Sequence, residues 1–469
     1  MGKNSSPGPQ EKRFAAYMGG LAQAAGHADR VTPLKLYCTG LLLPGERKSV
    51  EPIAARLAPD NVRRMHQSLH HIVADAPWND GDVLAQVRSY ALTAMRQRGP
   101  VQAWIVDDTG FVKKGKHSVG VTRQYCGQVG KQENCRVAVS LSISTPTASL
   151  PIAWRLYLPE VWAEDPARRE QAGIPQEVVF QTKPAIALEQ IRAAVKQDVP
   201  RAPVLADAGY GTDTRFREEI TKLGLGYAVG IMSSVSVWKP GEAPLPKRER
   251  KATGRPTKLL RRDRAHQPVA VKELALSLSA SAWKTIAWRQ GAKQNLRSRF
   301  AAVRIRPAHR DYWRSEPRPE EWLLIEWPTG ETEPIKYWLS TLPAKTKLKD
   351  LVQLAKHRWI IERDYQEPKQ ELGLGHFEGR GWRGFHHHAT LCIAAYGFLV
   401  AERSRFPPLR APANWSYAPR KFLPASNPAA RRARAERHNP NSISTLRLRI
   451  ARLLIPQMPS CPFCCALRL

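Results

Sequence analysis

Acidic residues are the scarce class in this sequence. Among its 469 residues, 41 are Asp or Glu against 73 Lys or Arg, a formal net charge of +32. Such an excess calls for a polyanionic partner, and nucleic acid is the first candidate. A membrane surface is the second, but long apolar runs are lacking too. The best of them, "LCIAAYGFLVA" at 391–401, is far short of the roughly 20 residues that a spanning helix needs. The start, "MGKNSSPGPQEKRF", contains no apolar segment, so no signal peptide is expected. Cysteine is sparse as well. Seven scattered cysteines suit reduced thiols in a cytoplasmic protein better than a disulfide framework. "CPFCC" at 461–465 holds one Cys-x-x-Cys pair, whereas zinc takes four ligands, so free thiols are expected there.

What is present divides the chain by texture. Residues 1–13 look like a disordered leader. From 14 to 98 the pattern is helical: Val62, Met65, Leu69 and Ile72 recur in steps of three and four, as do Leu84, Val87, Ala91 and Met95. Asp60 and Asp82 stand where N-caps belong. This module is a candidate for DNA recognition or for packing. Residues 99–225 mix strands and helices, an α/β layer. "VQAWIVDDTG" (101–110) reads as a buried strand ending in carboxylates, and "APVLADAGYG" (202–211) as another strand ending in an acid. Residues 226–345 are β-rich and hold seven of the 14 tryptophans. Within them, 239–264 has ten basic and three acidic residues and reads as a basic loop. Helix resumes over 346–402. The tail, 403–469, is basic and largely irregular, with one amphipathic helix expected at 442–455.

The chemistry concentrates in acids at strand ends and in "RWIIERDYQEPKQELGL" (358–374). Steps of four, three and four put Arg358, Glu362, Tyr365 and Lys369 on one helix face. A carboxylate between two cations can be a salt-bridge ladder or a metal ligand beside two phosphate grips. Asp107, Asp108 and Asp207 end strands, where a side chain is firmly held yet open to ligand. Three such oxygens suit Mg²⁺. For any single acid, a turn or cap role is the more common one.

Taken together, these segments resemble the DDE transposases of bacterial insertion sequences. The branch in question has Tyr, two residues, Arg, three residues, Glu, six residues and Lys as its third motif. Arg358, Glu362 and Lys369 fall at that spacing, and Ala355 stands at the Tyr position. "IVDDTGFVKKGKHSVGVTRQYCG" and "VLADAGYG" are similar to the first two motifs. The resemblance implies a multidomain α/β protein with a ribonuclease-H-like core, split by a β insertion and preceded by a helical domain. It implies Asp107 on the first strand, Asp207 after the fourth and Glu362 on a helix as catalytic metal ligands, with Asp108 as the alternative first acid. Two Mg²⁺ or Mn²⁺ ions would serve cleavage at the element ends and joining of the 3′-hydroxyls to target DNA. Arg358 and Lys369 would hold phosphate. The partners implied are terminal repeats, target DNA and further copies of the chain, with no membrane, in the cytoplasm at the nucleoid. The rivals are a metal-dependent nuclease without joining activity and an inactive DNA-binding descendant.

Weaker signals complete the reading. "GFVKKGKH" (110–117) lacks the Ser or Thr of a P-loop. "HHH" (386–388) points in three directions on a helix, so polar, partly packed residues are expected rather than a metal set. Lys247, Arg248, Arg250 and Lys251 in the basic loop are expected to touch DNA phosphates. Pro368 has no N–H for the Asp364 carbonyl, so the motif helix is expected to kink or end before Lys369.

Overall fold

The structure, a computed structural model, describes residues 8–247, 258–290, 295–406 and 442–459. The described residues begin with five α-helices: α1 (Pro9–Ala24), α2 (Ala28–Leu42), α3 (Val50–Leu57), α4 (Val62–His70) and α5 (Asp80–Arg96). Their apolar faces follow the expected periodicity, with Leu69, Leu84, Val87, Ala91 and Met95 buried. The caps differ from expectation. Asn61 accepts from the Arg64 N–H and Asn79 from the Gly81 N–H, so these asparagines cap α4 and α5 in place of Asp60 and Asp82. The leader differs too. Helix α1 begins at Pro9, inside the stretch expected to lack structure, because Arg13 pairs with the buried Glu402 at 2.7 Å.

Among the described residues, twelve strands form one sheet. They are β1 (Ala103–Val112), β2 (Thr122–Cys126), β3 (Lys131–Ser144), β4 (Ser149–Leu156), β5 (Val204–Ala206), β6 (Tyr227–Ile231), β7 (Ser236–Trp238), β8 (Val269–Ala270), β9 (Lys284–Gln290), β10 (Asn295–Pro307), β11 (Glu321–Trp327) and β12 (Lys336–Ser340). Strand β3 is antiparallel to β1 on one edge and to β4 and β2 on the other. Strands β1, β5 and β6 are parallel neighbours. Strand β12 pairs antiparallel with β6, and β11 and β10 follow outward. The β-rich stretch therefore extends the α/β sheet through β6 and β12, without a break in hydrogen bonding at residue 226.

Between β4 and β5 lie α6 (Glu160–Ala163), α7 (Pro166–Gln171) and α8 (Lys183–Lys196). After β5 come α9 (Ala208–Gly211) and α10 (Thr214–Lys222), then α11 (Val271–Ser277) between β8 and β9. The closing helices are α12 (Leu348–His357), α13 (Ile361–Glu371), α14 (Trp382–Arg405) and α15 (Ile443–Leu454), the last where an amphipathic helix was expected. Helix α14 is apolar nearly all round and buried along almost its whole length, the pattern of a core helix. No helix among the described residues is long and apolar enough to cross a membrane.

The three histidines of α14 are buried rather than partly packed. His386 accepts from the Leu156 N–H at 3.2 Å through Nε2, and its Nδ1 faces the Trp382 carbonyl at 2.9 Å. His387 reaches the carbonyls of Val73 and Trp78, while His388 meets the Tyr37 hydroxyl and the Gly373 carbonyl. The trio thus ties α14 to the sheet on one side and to the N-terminal helices on the other. Burial pushes the His386 imidazole down to about 4. The unfolded chain therefore takes up a proton below about pH 6.5 that the folded protein refuses until about pH 4, and stability contributed by His386 is lost as pH falls through this window. His386→Gln is expected to remove this dependence. Melting curves at pH 7.5 and 5 should show a gap between wild type and variant that narrows on acidification, and a constant gap would contradict it.

Candidate active site

Strands β1 and β5 run side by side only at Trp104–Ile105 and Val204–Leu205. Beyond Ala206 the chain turns away, which opens a crevice at the carboxyl ends of two parallel strands, the usual place for a ligand in such a sheet. Asp207 stands at that turn. It caps α9, and its Oδ1 accepts the Gly209 N–H at 2.9 Å. The "AGYG" that follows is dictated by packing: a Cβ on Gly211 would lie 2.1 Å from the Gly230 carbonyl oxygen on β6.

Asp107 and Asp108 do not end their strand as expected. Strand β1 continues to Val112, because β3 pairs with it throughout, from Ala103–Ser144 to Val112–Cys135. The acids lie where β1 has lost its β5 neighbour but keeps β3. Glu362 lies in the first turn of α13, just after the 3₁₀ turn Arg358–Ile360 that joins it to α12. Asp107, Asp108, Asp207, Glu362, Arg358 and Lys369 all line one open cavity of about 1010 Å³.

The expected break at Pro368 is absent. Helix α13 runs through Pro368 and Lys369 to Glu371. One forgone hydrogen bond is outweighed by burial of the face that carries Ile361, Asp364, Tyr365 and Pro368. The Tyr365 hydroxyl lies 2.8 Å from Ser140 Oγ, fixing the helix over β3. Ala355, at the motif's Tyr position, is buried with Phe300, Leu324 and Trp338.

Electrostatics mark the crevice. Burial pushes the Asp107 carboxyl up to about 7; Arg358 opposes this, and Asp207 and Asp108 add to it. Arg358 Nη1 meets Asp107 Oδ2 at 2.5 Å. Lys369 does not face the acids. Its ammonium donates to Thr109 Oγ1 and the Gly110 carbonyl, both at 2.8 Å, and to Gln128 Oε1 at 3.1 Å. Burial brings it down to about 8. Lys247 is exposed, while Arg248, Arg250 and Lys251 lie outside the described residues.

Sequence reasoning passed over Lys183 and Tyr210, which line the same cavity. Helix α8 begins at Lys183 and so brings it to the crevice. "TKP" was the available signal: Thr182 caps α8 and Pro184 sits in its first turn.

The donor set fits a hard divalent cation. Asp107, Asp207 and Glu362 offer carboxylate oxygens on three separate elements, and crowding of acids around Asp107 is relieved by positive charge. Arg358 supplies that charge in this conformation. Among the described residues, no three His, Cys, Asp or Glu side chains already form a ligand cluster.

The sequence matches the family described as DDE superfamily endonuclease over residues 20–295, more than half of the chain. The chain belongs to this family. The matched span includes Asp107 and Asp207 and stops before Glu362. The chain is also 32% identical over 190 residues to a probable transposase for insertion sequence element IS701 from Microchaete diplosiphon. That match takes in 40% of this chain and 46% of the relative, so it spans less than half of the relative's length.

Proposed function

We propose that this DDE superfamily endonuclease is a transposase, cutting DNA at the ends of an insertion sequence and joining the freed 3′-hydroxyls to target DNA. The observation that carries this reading is the convergence of Asp107, Asp207 and Glu362 on one crevice, with Lys369 on the helix that bears Glu362 and Arg358 in the 3₁₀ turn that leads into it. The sheet supports a ribonuclease-H-like core: the order β4-β3-β1-β5-β6 has antiparallel pairs on one side of β1 and parallel pairs on the other. The helical N-terminal residues and the basic stretches would supply further DNA contacts, and the enzyme would act in the cytoplasm at the nucleoid, on DNA and as an oligomer.

In this reading, Asp107, Asp207 and Glu362 hold two Mg²⁺ or Mn²⁺ ions. Such ions would supply activation of the attacking hydroxyl and stabilisation of the leaving oxygen of an in-line displacement at phosphorus. The protein's own share is binding and orientation. Arg358 leaves Asp107 and takes a DNA phosphate, with planar geometry suited to two parallel hydrogen bonds. Lys369, tethered to Thr109 and Gln128, adds positive charge at the crevice wall. Incubating the protein with DNA that carries the element's flanking terminal repeats and Mg²⁺, then sequencing the products, tests the reading. Cut ends with strand-transfer products support transposition, cut ends alone indicate a nuclease, and uncut DNA rejects both.

The basic loop makes a separate prediction. Replacing Lys247, Arg248, Arg250 and Lys251 with Ala is expected to weaken binding of cognate and random DNA equally. The slope of log affinity against log salt should flatten by about 0.9 for each phosphate contact removed. An unchanged slope would mean that the loop is only solvated surface.

A further inference from the structure

The crevice carries a cation that the motifs do not single out. Lys183, the first residue of α8, donates from Nζ to Asp108 Oδ2 at 3.0 Å. The Tyr210 hydroxyl donates to the same oxygen at 3.2 Å. Asp107 and Asp108 are consecutive on an extended strand, so their side chains leave β1 on opposite faces. On one face Asp107 meets Arg358, and Lys369 of α13 meets Thr109. On the other, Asp108 meets α8 and α9. The Lys183 and Asp108 side chains are 28% and 23% exposed, so the ammonium is both held and reachable from the crevice. A polyanion lying in this crevice has Arg358 and Lys369 on one side and Lys183 on the other.

We propose that Lys183 is a DNA-phosphate contact on the second side of the crevice, and that Asp108 with Tyr210 positions it instead of binding a cation. The proposal deepens the reading of the chain as a DNA-processing enzyme and rests on it. A partly exposed Lys–Asp pair is weak, so it costs little for the ammonium to turn toward a phosphate. Its compact charge and flexible stem suit that movement. The same contacts give the two adjacent acids different tasks: Asp107 faces the helix of Glu362, while Asp108 is engaged by an ammonium and a phenol.

The test measures binding of a short mixed-sequence duplex across a salt series, using full-length wild type, Lys183→Ala, Lys183→Arg, Asp108→Asn and Glu362→Ala. Lys183→Ala should bind more weakly and flatten the salt slope by about 0.9, one contact's worth. Lys183→Arg should restore both, which a merely structural loss would not do. Asp108→Asn should raise the DNA concentration needed for half-maximal cleavage several-fold, with the rate at saturating DNA falling by less than tenfold. A wild-type slope in Lys183→Ala, no rescue by Arg, or a collapse of the saturated rate in Asp108→Asn would each overturn the proposal. Glu362→Ala separates the two levels. If it binds with the wild-type slope and fails to cut, the enzyme reading stands whatever Lys183 does; if wild type itself leaves the DNA uncut, that reading falls on its own, and a Glu362→Ala that cuts normally removes only Glu362 from the site.

Discussion

Single Ala replacements of Asp107, Asp207 and Glu362 are expected to reduce DNA cleavage by about a thousandfold or more while leaving duplex binding nearly intact. The two halves of this expectation come from different groups. Electrostatic stabilisation by a bound divalent ion is worth several kcal/mol in the transition state, and about 4 kcal/mol corresponds to a factor of a thousand. Binding comes mostly from cations meeting phosphates, and those cations remain. Cleavage time courses beside equilibrium binding on the same duplex check both halves. Near-wild-type cutting by Glu362→Ala would remove Glu362 from the site, and an active Asp107→Ala beside an inactive Asp108→Ala would move the first acid by one residue.

The largest stability effect is expected from Phe398→Ala. Phe398 is fully buried in α14, with its ring centroid 5.1 Å from that of Phe14 and 5.6 Å from that of Tyr17. Truncating such a side chain removes its transfer energy and leaves a cavity, typically about 3–5 kcal/mol. That is a large part of the roughly 5–15 kcal/mol that holds a domain together. The site should also feel it. Tyr396, two residues earlier, donates to Glu367 Oε2 at 2.7 Å and so secures the helix that carries Glu362. A clear drop in denaturant midpoint, with cleavage failing at lower temperature than wild type, is the expected result. An unchanged midpoint would show that α14 is not the central strut.

Much of this was legible in the chain because it depends on near neighbours. Helical periodicity over 62–95, the buried runs of β1 and β5, and the placing of Glu362 and Lys369 on one helix all follow from local geometry, whereas Arg358 falls in the 3₁₀ turn before that helix. So does the spread of three consecutive histidines around a helix. These features need only the pitch of a helix and the alternation of a strand.

Other features were decided by the tertiary structure. Strand β1 outruns its acids because β3, more than twenty residues further along the chain, pairs with it as far as Val112. Helix α13 passes through Pro368 because its buried face outweighs one forgone hydrogen bond. Helix α1 reaches into the expected leader because Glu402, at the far end of α14, holds Arg13. The β-rich stretch joins the main sheet because β12 returns to β6. Lys183 came to the crevice through α8, Tyr210 through α9 and Asp108 through β1. Each of these depends on partners distant in sequence, whose contacts local propensity does not encode and whose combined energy can override it.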